Sequence, residues 1–228
     1  MAYSPLERPS VFPPVIKNVM IITGLAFFAQ QTPGLGSLLF EWGSLWPVGD
    51  PGVVRTPQGI RSLAPFYPWQ VVSYAFLHGD FGHILFNIFA FWMFGVPLEN
   101  TWGSKRFALY YFVSVVGAAL TQLAVMYLTE DFSPVVGASG GVFGILLAFG
   151  MMYPEQRIYL YFAIPVKAKY FVIGYGVLEL ILGVSSTNSN VAHFAHLGGL
   201  FAGLALILYW RSQANARQRA TGGWRRDL

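Results

Sequence analysis

Residues 107–128 read FALYYFVSVVGAALTQLAVMYL, a run of 22 residues without a charged side chain. An α-helix needs about 20 consecutive, mostly apolar residues to cross the hydrocarbon core of a bilayer. This stretch therefore predicts a transmembrane helix, and it is the cleanest such signal in the chain.

The rest of the chain has the composition of a membrane protein. Among its 228 residues only 11% are charged and 55% are hydrophobic, whereas soluble domains have about 25% charged residues. This composition excludes a soluble enzyme and a disordered chain. Because the sequence has no cysteine, it also excludes a secreted module stabilised by disulfides. Six predicted spans cover residues 15–30, 80–95 (with an extension to 100 left open), 107–128, 139–153, 170–184 and 191–210.

The basic residues predict the orientation of these spans. Twelve of the 14 Lys and Arg residues fall in the N-terminal segment, the second and fourth connections and the C-terminal tail. Positive charge marks the cytoplasmic side, so both termini are expected there. The predicted division is a cytoplasmic segment 1–14, a membrane domain 15–210 and a basic cytoplasmic tail 211–228. No groove-reading or base-stacking motif accompanies the tail, so no nucleic-acid partner is expected.

The first extracytoplasmic loop, residues 33–79, is unusually long. Long loops in compact proteins are usually functional or disordered. Its aromatic and leucine residues between positions 38 and 46 predict a segment lying in the outer membrane interface.

Polar side chains converge at the outer ends of the even-numbered spans. All four histidines lie in or beside spans, and polar groups there are functional candidates. The second, fourth and sixth spans all enter from the outer face, and they carry His83, Ser139 and His196 to a similar depth. We therefore expect these three side chains to share one site.

Ser139 has a setting that suits a nucleophile. Glycines flank it in Gly137-Ala-Ser139-Gly140, which permits a sharp entry into the helix. Free backbone N–H groups at a helix start can stabilise an oxyanion. Glycine-rich packing seams are equally common in membrane helices, so this motif alone leaves both interpretations open.

His196 shares a helical stripe with Gly199 and Gly203, a small-residue pattern that lets helices approach closely. Gly140 and Gly144 offer a partner face on the fourth span. Such contact would bring the imidazole to the Ser139 hydroxyl, and a base in reach activates a serine.

His83 and Asn87 lie on one face of the second span. Both can donate hydrogen bonds to a developing negative oxygen. The alternative is a structural bridge between helices. A different rival for all four histidines is a metal site, with Asp80 as a further ligand, but that leaves Ser139 and the paired glycines unexplained.

Taken in order, these pieces resemble the rhomboid intramembrane serine proteases. The resemblance runs from Trp69 to Gly203 and includes the motifs His83-Ile-Leu-Phe-Asn87, Gly137-Ala-Ser139-Gly140 and Ala195-His196. It implies an all-α bundle of six transmembrane helices in the minimal form, located in a bacterial inner (plasma) membrane. It also implies an endopeptidase that cleaves transmembrane segments of other membrane proteins, with no metal and no cofactor. A rhomboid-like binding protein without activity is a rival, although such proteins usually lack the serine or the histidine.

The resemblance assigns roles to individual residues. Ser139 is the implied nucleophile and His196 the general base and then acid, in a dyad without an acidic member. No carboxylate lies near His196 in sequence. His83, Asn87 and the Ser139 backbone N–H are the implied oxyanion hole. Phe143 matches the aromatic position that packs on the catalytic imidazole.

Gln70, Glu99, Ser104 and Glu179 stand apart from this chemistry. Many family members have Trp-Arg in the first loop, but here the pair is Trp69-Gln70. Glu99 and Ser104 match structural positions on the cytoplasmic side. Glu179, in the middle of the fifth span, matches no family role and is expected to be a hydrogen-bonded acid or a cavity-facing group.

Overall fold

The computed structural model describes residues 9–49, 52–56, 59–62, 64–131, 133–160, 163–185 and 192–220. The beginning of the predicted N-terminal segment, the predicted start of the sixth span at residue 191 and the end of the tail lie outside these residues. The helices are α1 (Pro14–Gln30), α2 (Leu35–Gly43), α3 (Gln70–Ser73), α4 (Phe81–Trp102), α5 (Ser104–Thr129), α6 (Ser139–Met152), α7 (Ala168–Ser185) and α8 (His193–Ala220).

Six of these helices are apolar and correspond to the six predicted spans, which confirms a helical membrane bundle. By length and composition α4, α5, α7 and α8 can cross a membrane, while α1 and α6 are shorter apolar helices. Several boundaries differ from prediction by one to three residues, and two helices extend well beyond their predicted spans. Helix α4 continues through Pro97 to Trp102, beyond the predicted end at residue 95. Helix α8 continues to Ala220, ten residues beyond the predicted end of the span at Trp210, so the start of the polar tail is helical.

The predicted long loop contains ordered structure. After α2 comes an antiparallel hairpin of β1 (Val53–Thr56) and β2 (Gly59–Ser62), then α3 and one 3-10 turn, Tyr74–Phe76. A second hairpin, β3 (Arg157–Leu160) and β4 (Ile164–Lys167), joins α6 to α7. The loop after α2 is held near the start of α6, since the backbone N–H groups of Leu45 and Val135 each donate to the other's carbonyl at 2.9 and 3.0 Å.

Helix α5 lies at the centre of the bundle. Tyr110, Tyr111, Val115, Ala118 and Ala119 on this helix are all fully buried. The Tyr110 hydroxyl donates to the carbonyl of Gly144 on α6 at 2.7 Å. Helices α6 and α8 pack against α5 and against each other, so the central helix sets where their outer ends meet.

The opposite end of the bundle is organised around Glu99. Its carboxylate accepts from the backbone N–H groups of Val15 and Ile16, each at 2.9 Å, and from the hydroxyl of Ser104 at 2.6 Å. Glu99 thus satisfies the free donors at the start of α1. Nearby, the guanidinium of Arg106 lies 4.1 Å from the ring centroid of Trp210.

Candidate active site

Helix α6 is too short to cross the bilayer, and Ser139 is its first residue. Its 14 residues span about 21 Å, against about 30 Å of hydrocarbon. A helix of this length must begin or end below the membrane surface. Ser139 is only partly buried, although Gly140 and Gly141 after it are buried.

The turn before Ser139 is held by two backbone hydrogen bonds and requires a glycine. Gly137 has φ +126°, and a methyl group on it would lie 2.7 Å from Nε2 of His83, so both backbone and space require glycine. Its N–H donates to the carbonyl of Tyr74 at 2.9 Å. The Ala138 N–H donates to Nε2 of His78 at 3.4 Å. Burial, together with the nearby His83 ring, lowers the pKa of His78 to about 4, which keeps His78 neutral as an acceptor.

His196 lies beside the serine hydroxyl. Its Nε2 is 2.7 Å from Oγ of Ser139, and the imidazole is buried. The approach depends on glycine, because a side chain on Gly199 would collide with the carbonyl of Gly140. Gly203 has a different neighbour from the one expected. It faces the hydroxyl of Tyr110 on α5, not α6.

The other ring nitrogen of His196 faces an acid. Oε2 of Glu179, on α7, lies 2.9 Å from Nδ1 of His196 and 2.6 Å from Nδ1 of His193. An acidic side chain therefore contacts His196, although none lies near it in sequence. Glu179 is 17 residues earlier in the chain, and only the packing of α7 on α8 brings it there.

Aromatic rings cover the imidazole. Phe143 stacks on His196 with ring centroids 4.4 Å apart and planes 9° apart. Tyr175 of α7 in turn stacks on Phe143, with ring centroids 5.0 Å apart. The rings restrict the imidazole to the plane in which it meets Ser139.

His83 and Asn87 are placed differently with respect to the serine. A methyl group placed on Gly137 would lie 2.7 Å from Nε2 of His83 and 3.8 Å from Oγ of Ser139, so both side chains border this turn. The Asn87 amide donates to the carbonyl of His83 on its own helix at 2.9 Å. His83 thus lies at the site, whereas the Asn87 donor is engaged within α4.

The histidine–glutamate cluster also has the composition of a metal site. Ligand atoms of Glu179, His193 and His196 lie within 4.8 Å of one another. The oxygen–nitrogen distances of 2.6 and 2.9 Å are hydrogen-bond lengths. Ligand atoms around one tetrahedral zinc would be about 3.3 Å apart, given bonds of about 2.0–2.1 Å. As arranged, the cluster is hydrogen-bonded.

Gln70 organises the first loop without a charge. It is fully buried. Its amide nitrogen is 3.4 Å from the carbonyls of both Trp42 and Pro65, and its oxygen accepts from the Trp46 N–H at 3.3 Å. A neutral amide, which both donates and accepts, therefore meets all of the hydrogen-bonding needs of this position without a charge.

A polar cavity of about 630 Å³ lies beside this loop. Gln30, Glu41 and His78 are among its lining residues. His78 also contacts the turn that carries Ser139, so the cavity borders the back of the site.

Tyr175 and the partners of Glu179 were missed by the sequence analysis. Tyr175 and Glu179 are four residues apart on one face of the fifth span. The available signal for a functional contact was the single carboxylate of Glu179 within that span. Their targets depend on how α7 is rotated against α8, which a local pattern does not encode.

Comparison with known proteins agrees with this architecture. The family model described as the Rhomboid domain matches residues 65–213. The chain is 32% identical to RHOMBOID-like protein 12, mitochondrial, of Arabidopsis thaliana over 62% of this chain and 45% of the relative. It is 29% identical to Rhomboid-like protease 3 of Toxoplasma gondii, over 67% and 55%. It is also 29% identical to Rhomboid protease GlpG of Yersinia pestis, over 65% and 50%.

These alignments span about half the length of each relative. The family model nevertheless covers well over half of this chain, including every helix from α3 to α7 and most of α8. This chain therefore belongs to the rhomboid family, as a multi-pass integral membrane protein.

Proposed function

We propose that this protein is an intramembrane serine endopeptidase that cleaves transmembrane segments of other membrane proteins. The observation that carries the proposal is the 2.7 Å distance between Oγ of Ser139 and Nε2 of His196, at the start of a helix. The names of two of the relatives, Rhomboid-like protease 3 and Rhomboid protease GlpG, support the same activity.

In the proposed reaction Ser139 attacks the scissile carbonyl carbon while its proton passes to Nε2 of His196. The negative oxygen that forms is stabilised by the free N–H groups at the start of α6 and by His83. His196 then gives its proton to the leaving amine. Water, activated by the same imidazole, hydrolyses the acyl-enzyme and restores the serine. Ser139 is partly accessible, and the polar cavity behind its turn is one route for this water.

The test is fluorophosphonate labelling and cleavage of a single-span substrate by the full chain in liposomes. We expect labelling and cleavage in the wild type and neither in Ser139→Ala. Ser114→Ala is the matched control, because that buried hydroxyl only bonds to the Tyr110 carbonyl of its own helix and should be dispensable. Full labelling of Ser139→Ala would remove Ser139 from the mechanism.

A second candidate is a metal-binding protein, favoured by the grouping of Glu179, His193 and His196. It predicts stoichiometric zinc that survives chelation and is lost in His193→Ala. The hydrogen-bond distances within the cluster favour the protease.

The proposed location is the inner membrane of a bacterium, with both termini in the cytoplasm. The distribution of basic residues supports the orientation. Relatives come from bacteria and from eukaryotes, including mitochondrial proteins, so the location rests on the sequence analysis.

A further inference from the structure

We propose that Glu179 is a positioning residue for His196, so that this chain works with an acid–histidine–serine arrangement instead of a dyad. The proposal rests on the proposed function. It starts from an unusual fact, namely a carboxylic acid in the middle of α7 that is only 3% exposed. Ionisable groups within spans are costly and are retained for a reason.

The lipid-facing surface of α7 is apolar, and Glu179 points away from it. Exposed neighbours on this helix include Val177, Leu178, Leu180 and Ile181. Glu179 instead faces α8, where one carboxylate oxygen meets two imidazoles. The acid thus has specific partners within the described part of the bundle.

The geometry selects the tautomer of His196. An ionised carboxylate can only accept hydrogen bonds, so the Nδ1 atoms of His193 and His196 must both carry a proton. Nδ1–H on His196 leaves the lone pair of the neutral ring on Nε2. Nε2 is the atom 2.7 Å from the Ser139 hydroxyl, so the ring is held in the form that can accept the serine proton.

The carboxylate also acts once the proton has moved. Protonation of Nε2 makes His196 an imidazolium, and a negative charge 2.9 Å from its Nδ1 stabilises that cation in a medium of low dielectric constant. The proton itself stays on His196 and never passes to Glu179. His193 donates to the same oxygen at 2.6 Å and holds the carboxylate in place.

A purely structural role would use the same contacts. Glu179 joins α7 to α8, so its loss could simply loosen the bundle. The two roles differ in what they change, because a structural tie affects unfolding, whereas a positioning residue affects kcat and the tautomer of His196.

The experiment compares Glu179→Gln, Glu179→Asp and Glu179→Leu with wild type in liposomes. The matched control is Glu155→Gln, since Glu155 pairs with Lys167 in the connection at the other end of α7. Replacing the orienting acid of a serine protease by its amide lowers kcat about 10⁴-fold. We expect a fall of roughly 10²–10⁴-fold for Glu179→Gln with little change in KM, and partial recovery in Glu179→Asp, which keeps the charge. Glu155→Gln should match wild type.

Nitrogen-15 NMR of histidine-labelled protein gives a readout independent of turnover. Wild type should show His196 with Nδ1 protonated and Nε2 unprotonated, the signal being identified by its loss in His196→Ala. Glu179→Leu, which removes the acceptor, should populate the opposite tautomer. If Glu179→Leu does not fold, the Gln and Asp variants, which preserve polarity, decide the question by kcat.

The outcomes separate this inference from the proposed function. Suppose the wild type labels and cleaves. Wild-type kcat in Glu179→Gln, or an unchanged His196 tautomer in Glu179→Leu, would then overturn the inference and leave the proposed protease function intact. A wild type that neither labels nor cleaves would overturn both as catalytic statements.

Discussion

At the scale of single residues, the two histidines at the start of α8 should differ sharply in function. Nε2 of His196 lies 2.7 Å from Oγ of Ser139, within the range of about 2.6–3.2 Å that proton transfer requires. His193 instead contacts Glu179. We expect His196→Ala to abolish cleavage and His193→Ala to leave measurable activity, as read by kcat in liposomes. Thermal unfolding should show both variants folded, and the reverse order of activities would refute the assignment.

The oxyanion donors should also be unequal. Removing one such donor typically lowers kcat about 10²–10³-fold. His83 packs on the turn before Ser139, whereas the Asn87 amide donates to its own helix. His83→Ala should therefore lower kcat more than Asn87→Ala. Asn100→Ala, at the opposite end of α4, is the control, and full turnover in the His83/Asn87 double variant would make this face merely structural.

At the scale of elements, Gln70 should matter for the order of the first loop and little for chemistry. Its side chain links backbone groups of Trp42, Pro65 and Trp46. Each buried group left unsatisfied costs about 1–3 kcal/mol, so Gln70→Ala should unfold at lower temperature while keeping its kcat. Gln31→Ala is the control because that exposed amide donates to the carbonyl of Phe27, one turn earlier at the end of α1. A large loss of kcat at unchanged thermal stability would contradict this role.

Glu99 should be a determinant of how α1 docks. Its two oxygens accept from the N–H groups of Val15 and Ile16 and from the Ser104 hydroxyl. An amide has one oxygen and cannot accept through its nitrogen, so Glu99→Gln should lose at least one bond, at a cost of about 1–3 kcal/mol. Thermal unfolding should show the loss, with Glu130→Gln, an exposed position, unchanged. Equal stability of the two variants would show that the cap is dispensable.

At the scale of the whole molecule, the orientation can be tested directly because the chain has no cysteine. Single cysteines at the exposed positions Ser37 and Ser133 should react with an impermeant maleimide added to intact cells or spheroplasts. A cysteine at Ser212, exposed beyond the bundle on α8, should react only after permeabilisation. Labelling of position 212 in intact cells would reverse the predicted topology.

Composition and local patterns were enough to predict the class of fold, and they also named most of the candidate site residues. Low charge and six apolar runs require helices in a bilayer, because unpaired backbone groups are too costly in lipid. His83, Ser139 and His196 each lie near the outer end of an alternate span. Because the rise per residue of a helix is constant, this position predicts a similar depth for all three. The glycines beside them marked close contact. These are local or periodic properties, which can be recognised in the sequence without knowledge of the three-dimensional structure.

The partners that these residues meet follow from the packing of the helices in three dimensions. Glu179 was visible as a lone acid in the fifth span, but its contact with His196 depends on the rotation of α7 against α8. Gly203, expected to contact α6, lies closest to the hydroxyl of Tyr110 on α5. The Asn87 amide donates to a carbonyl of its own helix. Rotation, tilt and the choice of hydrogen-bond partner arise from the packing of several helices at once, so no single stretch of sequence contains them.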